Sequence, residues 1–135
     1  MSEVLSTWPV VIPLALRDED RDADGFLTTD AVTRLFATGR AAYAAECPDF
    51  DLDSAVVREL VAKRGGVAAP GAEVLVGVAV VEVFPEQFTM EVRIRPDEGH
   101  GVAGTASCAM APPGGVSDEL RSRLIALAQT ARHLH

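Results

Sequence analysis

The stretch of residues 73–84, with the sequence EVLVGVAVVEVF, places the strongest constraint on the fold. It is rich in β-branched residues and apolar on both faces of an extended chain, which is typical of a central strand that is covered on both sides. After a tight turn at Pro85 and Glu86, residues 88–95 alternate apolar and polar side chains, which predicts a strand with one face on a core and one in water. A loop at 97–101 and a returning strand at 102–111 complete a predicted antiparallel meander.

Residues 29–46 predict one long helix, because their apolar side chains recur at helical spacing. Thr28 or Thr29 can cap its start, and Asp30 complements the helix dipole in the first turn. We expect the helix to end before Cys47, since the residue ahead of a proline is pushed out of the α region. A helix with one apolar stripe beside such a meander must bury that stripe against a sheet face, so the sequence predicts an α+β layer structure.

Three shorter segments flank this core. Residues 10–16 are β-branched and interrupted by Pro13, which favours an edge strand. Residues 54–64 fit both the apolar stripe of a helix and a strand. Residues 117–133 predict a C-terminal helix with Ser117 as its cap. The apolar stripe of that helix comprises Leu120, Leu124, Leu127 and Ala131.

Length and charge narrow the class of protein. A chain of 135 residues has the usual size of one domain, so we expect a single domain over residues 1–135. A net charge of −8 works against binding to nucleic acid, which relies on basic side chains that neutralise phosphates. No apolar run approaches the ~20 residues that span a bilayer, and no basic residue precedes the first apolar stretch as it would in a secretory signal. We therefore expect a cytoplasmic protein, with Cys47 and Cys108 as free buried thiols.

The acidic loop at 18–29 and its surroundings resemble a known fold. The order of strand, acidic loop, central helix and meander resembles the hotdog fold, in which a sheet wraps around one long helix. Residues 20–29, DRDADGFLTT, resemble the D-x-D-x-x-G-H-V-N-N entrance of the 4-hydroxybenzoyl-CoA thioesterase family. Arg40 and Tyr43 fall where that family often has an arginine and an aromatic residue. Residues 70–73, PGAE, are similar to its P-x-x-G-D-E turn, which makes 54–64 the second strand, and the resemblance covers about 10–111.

The resemblance implies a thioesterase that acts on acyl-CoA or acyl-carrier thioesters. In the family the second aspartate of the loop is the catalytic carboxylate, and that position is Asp22 here. Asp24 is the nearest alternative to it. The amides at the start of the helix would polarise the thioester carbonyl, and the glycine would allow close backbone approach. The site residues so implied are catalytic Asp22 and substrate-binding Gly25, Thr28 and Thr29. Phe26 and the two threonines stand where the family signature has histidine and asparagine.

Chemistry explains why a carboxylate is suited to this position. Thioester hydrolysis needs a nucleophile or a general base for water, and an aspartate can serve as either. It also needs donors for the developing oxyanion, which the free N–H groups and the dipole of a helix N-terminus provide. The other acidic residues of the loop, Asp18, Glu19 and Asp20, are expected to form a solvated turn.

Two alternatives remain open for the same loop. One is a hotdog protein without catalytic activity that binds an acyl group or a partner, because the family's histidine and asparagines are missing. The other is calcium binding, because five residues match positions 1, 3, 5, 6 and 8 of an EF-hand loop. Those residues are Asp20, Asp22, Asp24, Gly25 and Leu27. The glutamate required at position 12 is Ala31 here, which counts against calcium.

The histidines do not suggest another catalytic class. His100 falls in a hairpin loop, while His133 and His135 fall in the C-terminal tail. None of them is placed to form a Ser-His or Cys-His pair or a zinc cluster. The sequence therefore predicts no metal and no cofactor.

The resemblance also implies assembly, because active sites of the family lie between two protomers. We expect an obligate homodimer, or two such dimers paired as a tetramer, with Asp22 near the subunit boundary. A twofold interface would also cover the open edge of the sheet. Arg93 and Arg95, on the polar face of their strand, are candidates for CoA phosphates, and their alternative is a solubilising role.

Overall fold

The computed structural model describes residues 3–4, 8–97 and 101–129. Within these ranges, six strands, two α-helices and two short 3-10 turns, Asp18–Asp20 and Leu52–Ser54, follow one another. The strands are β1 (Glu3–Val4), β2 (Val10–Ala15), β3 (Val56–Arg64), β4 (Glu73–Val83), β5 (Phe88–Pro96) and β6 (Gly104–Ala111). The helices are α1 (Thr29–Ala45) and α2 (Asp118–Gln129).

All six strands form one antiparallel sheet around the predicted meander. Strands β4, β5 and β6 are neighbours in chain order, and β3 pairs with the outer side of β6. On the other side of β4, β2 pairs with its first half and β1 with its end. The prediction of 73–84 as a central strand is confirmed. The edge position of the segment around Pro13 is confirmed too, since among the described strands it pairs with β4 alone.

The helix α1 packs its apolar stripe against the sheet. Thr28 caps its start, with Oγ1 accepting the Ala31 N–H at 3.1 Å, and the helix ends one residue before the predicted position. Its buried stripe comprises Ala31, Val32, Leu35, Phe36, Gly39 and Tyr43. Opposite it lie the inward side chains of β4 and β5, including Val74, Val76, Val78, Val92 and Ile94. The predicted α+β layer structure, one long helix against an antiparallel sheet, is confirmed.

Strand β3 resolves the ambiguity of residues 54–64 in favour of a strand. Its pairing with β6 shifts register between Arg58 and Val61, and Glu59 has a φ of 55° inside this bulge. Val56, Leu60 and Val61 are exposed at 53%, 43% and 48%, more than is usual for such side chains. Among the described strands, β3 pairs with β6 on one side only, so its outer backbone edge has no partner in the part of the chain that the structure describes.

The C-terminal helix and the two cysteines agree with expectation. Ser117 Oγ accepts the Leu120 N–H at 3.1 Å, and Leu120, Leu124 and Leu127 are buried. Both cysteines are buried free thiols, and burial raises the pKa of Cys108 to about 11. The predicted helix end at 133 lies outside the described residues, as do Ala131, His100, His133 and His135. No helix in the described ranges is long and apolar enough to cross a membrane.

The contact between α1 and β4 generates a stability prediction at Gly39. A Cβ at this position would lie 2.9 Å from Val78 Cγ2 and 3.1 Å from Val76 Cγ1. Gly39→Leu should therefore lower the free energy of unfolding by about 3 kcal/mol, because valine methyl groups cannot move aside easily. Urea denaturation measures the change. Ala37→Leu, on the exposed face of the same helix, should leave the unfolding midpoint nearly unchanged.

Candidate active site

The acidic loop before α1 is a tight turn stabilised by its own backbone. Arg21 and Leu27 form an isolated antiparallel bridge, and the Asp22 N–H donates to the Phe26 carbonyl at 2.8 Å. The chain reverses at Gly25, whose φ of +85° is readily adopted by glycine. The predicted site residues Asp22 and Gly25 therefore belong to one turn, and the Gly25 N–H donates to the Asp22 carbonyl at 3.0 Å.

Arg21 ties this turn to the connection between β3 and β4. Its Nε donates to the Ala69 carbonyl at 2.7 Å, and its guanidinium also contacts the Gly71 carbonyl. The Ala69 N–H returns a hydrogen bond to the Gly25 carbonyl at 3.0 Å. The loop is thus held from both of its sides by residues more than forty positions later in the chain.

Asp20 is buried, and the expectation that it is solvated was wrong. Its residue surface is only 4% exposed, its carboxylate accepts the Arg17 N–H at 2.7 Å, and it pairs with the Arg34 guanidinium of α1. The Asp20 carbonyl also accepts the Thr28 N–H at 2.9 Å, next to the helix cap. Asp18 and Glu19 are exposed, as expected. Asp20 therefore joins the loop to the first turns of α1.

Asp22 has a carboxylate that is partly engaged and still in contact with water. Its Oδ1 accepts the Asp24 N–H at 2.9 Å and the Phe26 N–H at 3.0 Å, and its Oδ2 lies 2.7 Å from Arg64 Nη1. A carboxylate offers about four acceptor positions. These contacts occupy three of them and leave one on Oδ2, while the side chain is 27% exposed.

The surroundings of Asp22 keep it ionised. Partial desolvation raises the pKa of its carboxyl, but the Phe26 and Asp24 N–H groups and the Arg64 guanidinium together lower that pKa below its ordinary value. At neutral pH the side chain is therefore a carboxylate, able to accept a proton or attack a carbonyl. Asp24 itself is exposed, and its contact with Asp22 is made by its backbone.

The start of α1 offers free donors beside this carboxylate. Thr28 uses its hydroxyl to cap Ala31 and its N–H to bind the Asp20 carbonyl. Within the described residues, the N–H groups of Thr29 and Asp30 have no acceptor, as expected for the first turn of a helix. Thr29 is exposed. Of the two predicted threonines, one caps the helix and the other keeps its amide available.

The structure has one cleft close to this turn and another away from it. An open cleft of about 350 Å³ borders the start of α1 and is lined by Arg17, Glu19, Asp20, Thr28, Asp30, Ala31 and Arg34. Asp22 and Gly25 do not line it, so this cleft unites only part of the predicted site. Another cleft, of about 390 Å³, is lined by the connections that follow α1 and β6, including Phe50 and Gly114. It contains none of the predicted site residues.

The remaining predicted positions lie away from the loop. Tyr43 is fully buried at the far end of α1, and burial raises the pKa of its hydroxyl. Arg40 lies over the Phe36 ring at 5.8 Å, and Arg93 over the Trp8 ring at 5.2 Å. In the ranges that the structure covers, no three histidine, cysteine or acidic side chains form a group suited to a metal ion.

Sequence reasoning missed Arg34 and Arg64. Arg34 follows Asp20 by fourteen positions and Arg64 follows Asp22 by forty-two. The helical spacing of Arg34 on α1 gave a weak signal, because a cation early in that helix can reach back to the loop. Arg64 gave none, since its place depends on how the β3 strand pairs with β6.

Comparison with known proteins supports the fold. No protein-family model matches the sequence, and no curated protein matches it either. Among solved structures, a thioesterase from Thermus thermophilus, complexed with coenzyme A and Zn, has a TM-score of 0.72 at 18% identity, covering 91% of this chain and 97% of its own. A thioesterase superfamily protein from a Jannaschia species has a TM-score of 0.73 at 15% identity, covering 90% and 84%. A gentisyl-coenzyme A thioesterase has a TM-score of 0.66 at 12% identity, covering 86% and 99%. These similarities confirm the hotdog fold.

The buried pair of Asp20 and Arg34 generates a second stability prediction. Asp20→Ala removes the acceptor for the Arg17 N–H and leaves the Arg34 charge without its partner. The free energy of unfolding should fall by about 2 kcal/mol, because hydrogen bonds to charged groups contribute that much and Arg34 is still partly in water. Asp18→Ala, an exposed neighbour in the same 3-10 turn, should change it by less than about 0.5 kcal/mol. Thermal and urea unfolding of the two variants give the comparison.

Proposed function

We propose that this chain is a thioesterase that hydrolyses acyl-CoA or acyl-carrier thioesters, with Asp22 as its catalytic carboxylate. The observation that carries this proposal is the ionised Asp22 side chain, which has one acceptor position left, in the loop that leads directly to the unpaired N–H groups of α1. The same fold in a thioesterase that binds coenzyme A, and in one named for gentisyl-coenzyme A, supports the substrate class.

The arrangement suits either of two routes. As a general base, Asp22 takes a proton from water while the water oxygen bonds to the thioester carbon; the C–S bond then breaks, and Asp22 passes the proton to the departing thiolate. As a nucleophile, the Asp22 oxygen bonds to the thioester carbon and forms an anhydride as the C–S bond breaks; the thiolate takes a proton from water, and a second water hydrolyses the anhydride to restore Asp22. In both routes the Thr29 N–H is the proposed donor to the oxyanion, with Gly25 and Thr28 shaping its approach. No metal or cofactor takes part in either route.

The CoA phosphates are proposed to meet basic side chains of β5. Arg93 and Arg95 lie on its outward face, and Arg93 is held over the Trp8 ring. A guanidinium fixed in this way can still present its N–H groups to a phosphate. An acyl-carrier substrate would have fewer phosphates. Substitution of these arginines should therefore weaken the binding of acyl-CoA more than the binding of an acyl-carrier substrate.

We also propose that the protein assembles as a homodimer through the open edge of β3. This edge has unpaired backbone groups beside the exposed side chains of Val56, Leu60 and Val61, and exposed edges of this kind are normally covered. A second copy of the chain can cover this edge if β3 of one protomer pairs with β3 of the other around a twofold axis. Arg64, the last residue of β3, contacts Asp22, so the dimer interface would lie close to the proposed site.

The activity prediction rests on Asp22. Wild-type protein should release free thiol from at least one member of a panel of aliphatic and aromatic acyl-CoA thioesters. Asp22→Asn should lower kcat/KM by about 100-fold or more, because it removes the base or nucleophile and keeps the shape of the side chain. Asp24→Asn is the matched control and should retain most activity, since Asp24 contributes only its backbone N–H.

The outcomes of that panel discriminate between the candidate functions. Loss of activity in the Asp24→Asn variant alone would transfer the catalytic function to Asp24. Absence of thiol release from every thioester, together with measurable acyl-CoA binding, would favour the hotdog binding protein without catalytic activity.

The proposed dimer can be tested by the molecular mass of the protein in solution. Sedimentation equilibrium at micromolar concentration should give twice the 14.3 kDa mass of the chain, or four times that mass for a tetramer. Leu60→Glu combined with Val61→Glu should shift the mass to that of one chain, because two like-charged patches would face each other across the twofold axis. Ala37→Glu, on the exposed face of α1, should leave the mass unchanged. A wild-type mass of one chain with full activity would contradict the proposed dimer.

A further inference from the structure

Asp22 is held by a basic side chain that comes from a distant strand of the same chain. Arg64 Nη1 lies 2.7 Å from Asp22 Oδ2, whereas both hydrogen bonds to Oδ1 come from the backbone of the loop itself. The backbone contacts fix one oxygen of the carboxylate. The guanidinium fixes the other oxygen, which is the one that keeps a free acceptor position.

The Arg64 side chain has a second contact that orients it. Its guanidinium carbon lies 5.5 Å from the centre of the Phe26 ring, within the range of a cation–π interaction. Phe26 also donates its N–H to Asp22, so one residue of the loop supports both members of the pair. The side chain of Arg64 is 52% exposed, and the ring limits the positions that it can occupy.

The backbone of Arg64 is fixed as well. Arg64 pairs with Gly104 at the end of β3, and the next N–H, that of Gly65, donates to the Ala103 carbonyl at 2.7 Å. Beyond it, the β3–β4 connection is tied to the loop through Arg21 and Ala69. The base of the arginine and the turn that carries Asp22 are therefore held in one framework.

We propose that Arg64 is the positioning residue of the site: its guanidinium, held over the Phe26 ring, fixes Oδ2 of Asp22 and directs the remaining acceptor position of that oxygen toward the reacting water or thioester. This assignment rests on the proposed thioesterase function. Arg64 acts through Asp22 and takes no proton itself, because a guanidinium is not deprotonated in proteins.

The charge of Arg64 also has a consequence for pH dependence. The charged side chain that faces the Asp22 carboxylate is Arg64, while Asp24 contributes an N–H and Arg21 directs its guanidinium to the Ala69 and Gly71 carbonyls. Asp22 acts in its ionised form, so activity is lost as pH falls through its pKa. Removing the Arg64 charge raises that pKa, and the loss of activity should then begin at a higher pH.

The test compares pH profiles of kcat/KM for the full-length wild-type protein and for the variants Arg64→Gln, Arg64→Lys and Phe26→Leu. Arg64→Gln should lower kcat/KM at neutral pH by about 10-fold or more and move the acidic limb to higher pH. Arg64→Lys keeps the charge but loses the planar fork, so its acidic limb should stay nearer to that of the wild type. Phe26→Leu should shift the limb in the same direction as Arg64→Gln. The double variant with Phe26→Leu and Arg64→Gln should shift the limb little further than Arg64→Gln alone, because both substitutions disrupt the same interaction of Arg64 with Asp22.

Arg17→Gln is the matched control. Arg17 is an exposed arginine beside the same loop. Among the described residues its side chain has one ion pair, at 4.0 Å from exposed Glu19, and its substitution changes the net charge equally. Its acidic limb should coincide with that of the wild type. Carboxyl NMR titration of Asp22 in wild type and Arg64→Gln reads the same shift without turnover, and thermal unfolding shows that each variant is folded.

The results separate this inference from the proposed function. Wild-type protein that hydrolyses no thioester, or Asp22→Asn protein with full activity, removes the proposed function and the positioning role with it. An active, Asp22-dependent wild type whose Arg64→Gln variant keeps its rate and its acidic limb would overturn the positioning role alone. A uniform drop in kcat/KM with no movement of the limb and no change in the Asp22 titration would also overturn it, since a purely structural change acts at every pH.

Discussion

The close packing of α1 on the β4 strand is the contact on which the other parts of the structure depend. Gly39 lets the helix backbone approach Val76 and Val78, so the sheet can curve around the helix and bury its whole apolar stripe. With the helix axis held in this way, the start of α1 has a defined place beside the end of β3. The acidic loop connects β2 to the start of α1, and it contacts the end of β3 through Asp22 and Arg64.

Two aspartates of this loop, separated by one residue, have different environments for a physical reason. Asp20 faces the helix and is buried, and its contacts with Arg34 and the Arg17 N–H replace contacts with water. Asp22 faces outward, where the turn backbone and Arg64 satisfy most of its acceptor positions and water reaches the rest. The first arrangement provides structural support, and the second leaves a carboxylate with one free acceptor position in contact with water. Sequence spacing alone cannot distinguish the two, because both residues have the same side chain.

The sequence predicted the elements better than the contacts between them. Local periodicity was sufficient for α1, β4 and β5, because their buried faces are regular and their ends are marked by Thr28, Cys47 and Pro85. Strand β3 was ambiguous, since its bulge breaks the alternation and its apolar side chains are exposed, a pattern that also fits one face of a helix. The loop was correctly identified as a turn that leads into the helix. The burial of Asp20 and the contact of Arg64 with Asp22 were not predicted, because both depend on the tertiary packing of residues far apart in sequence.

The bulge in β3 connects the open edge of the sheet to the candidate site. Glu59 adopts a left-handed conformation there, and a residue other than glycine does so at an energetic cost that the surrounding structure must offset. In the protomer, the segment that follows the bulge pairs with β6, and the side chains of Leu60 and Val61 are exposed. Any chain that pairs with this edge restricts the backbone from the bulge to Arg64. Because Arg64 orients Asp22, a restriction of that kind limits the motion of the carboxylate as well. We therefore expect that a chain paired with this edge would increase the order of the candidate site.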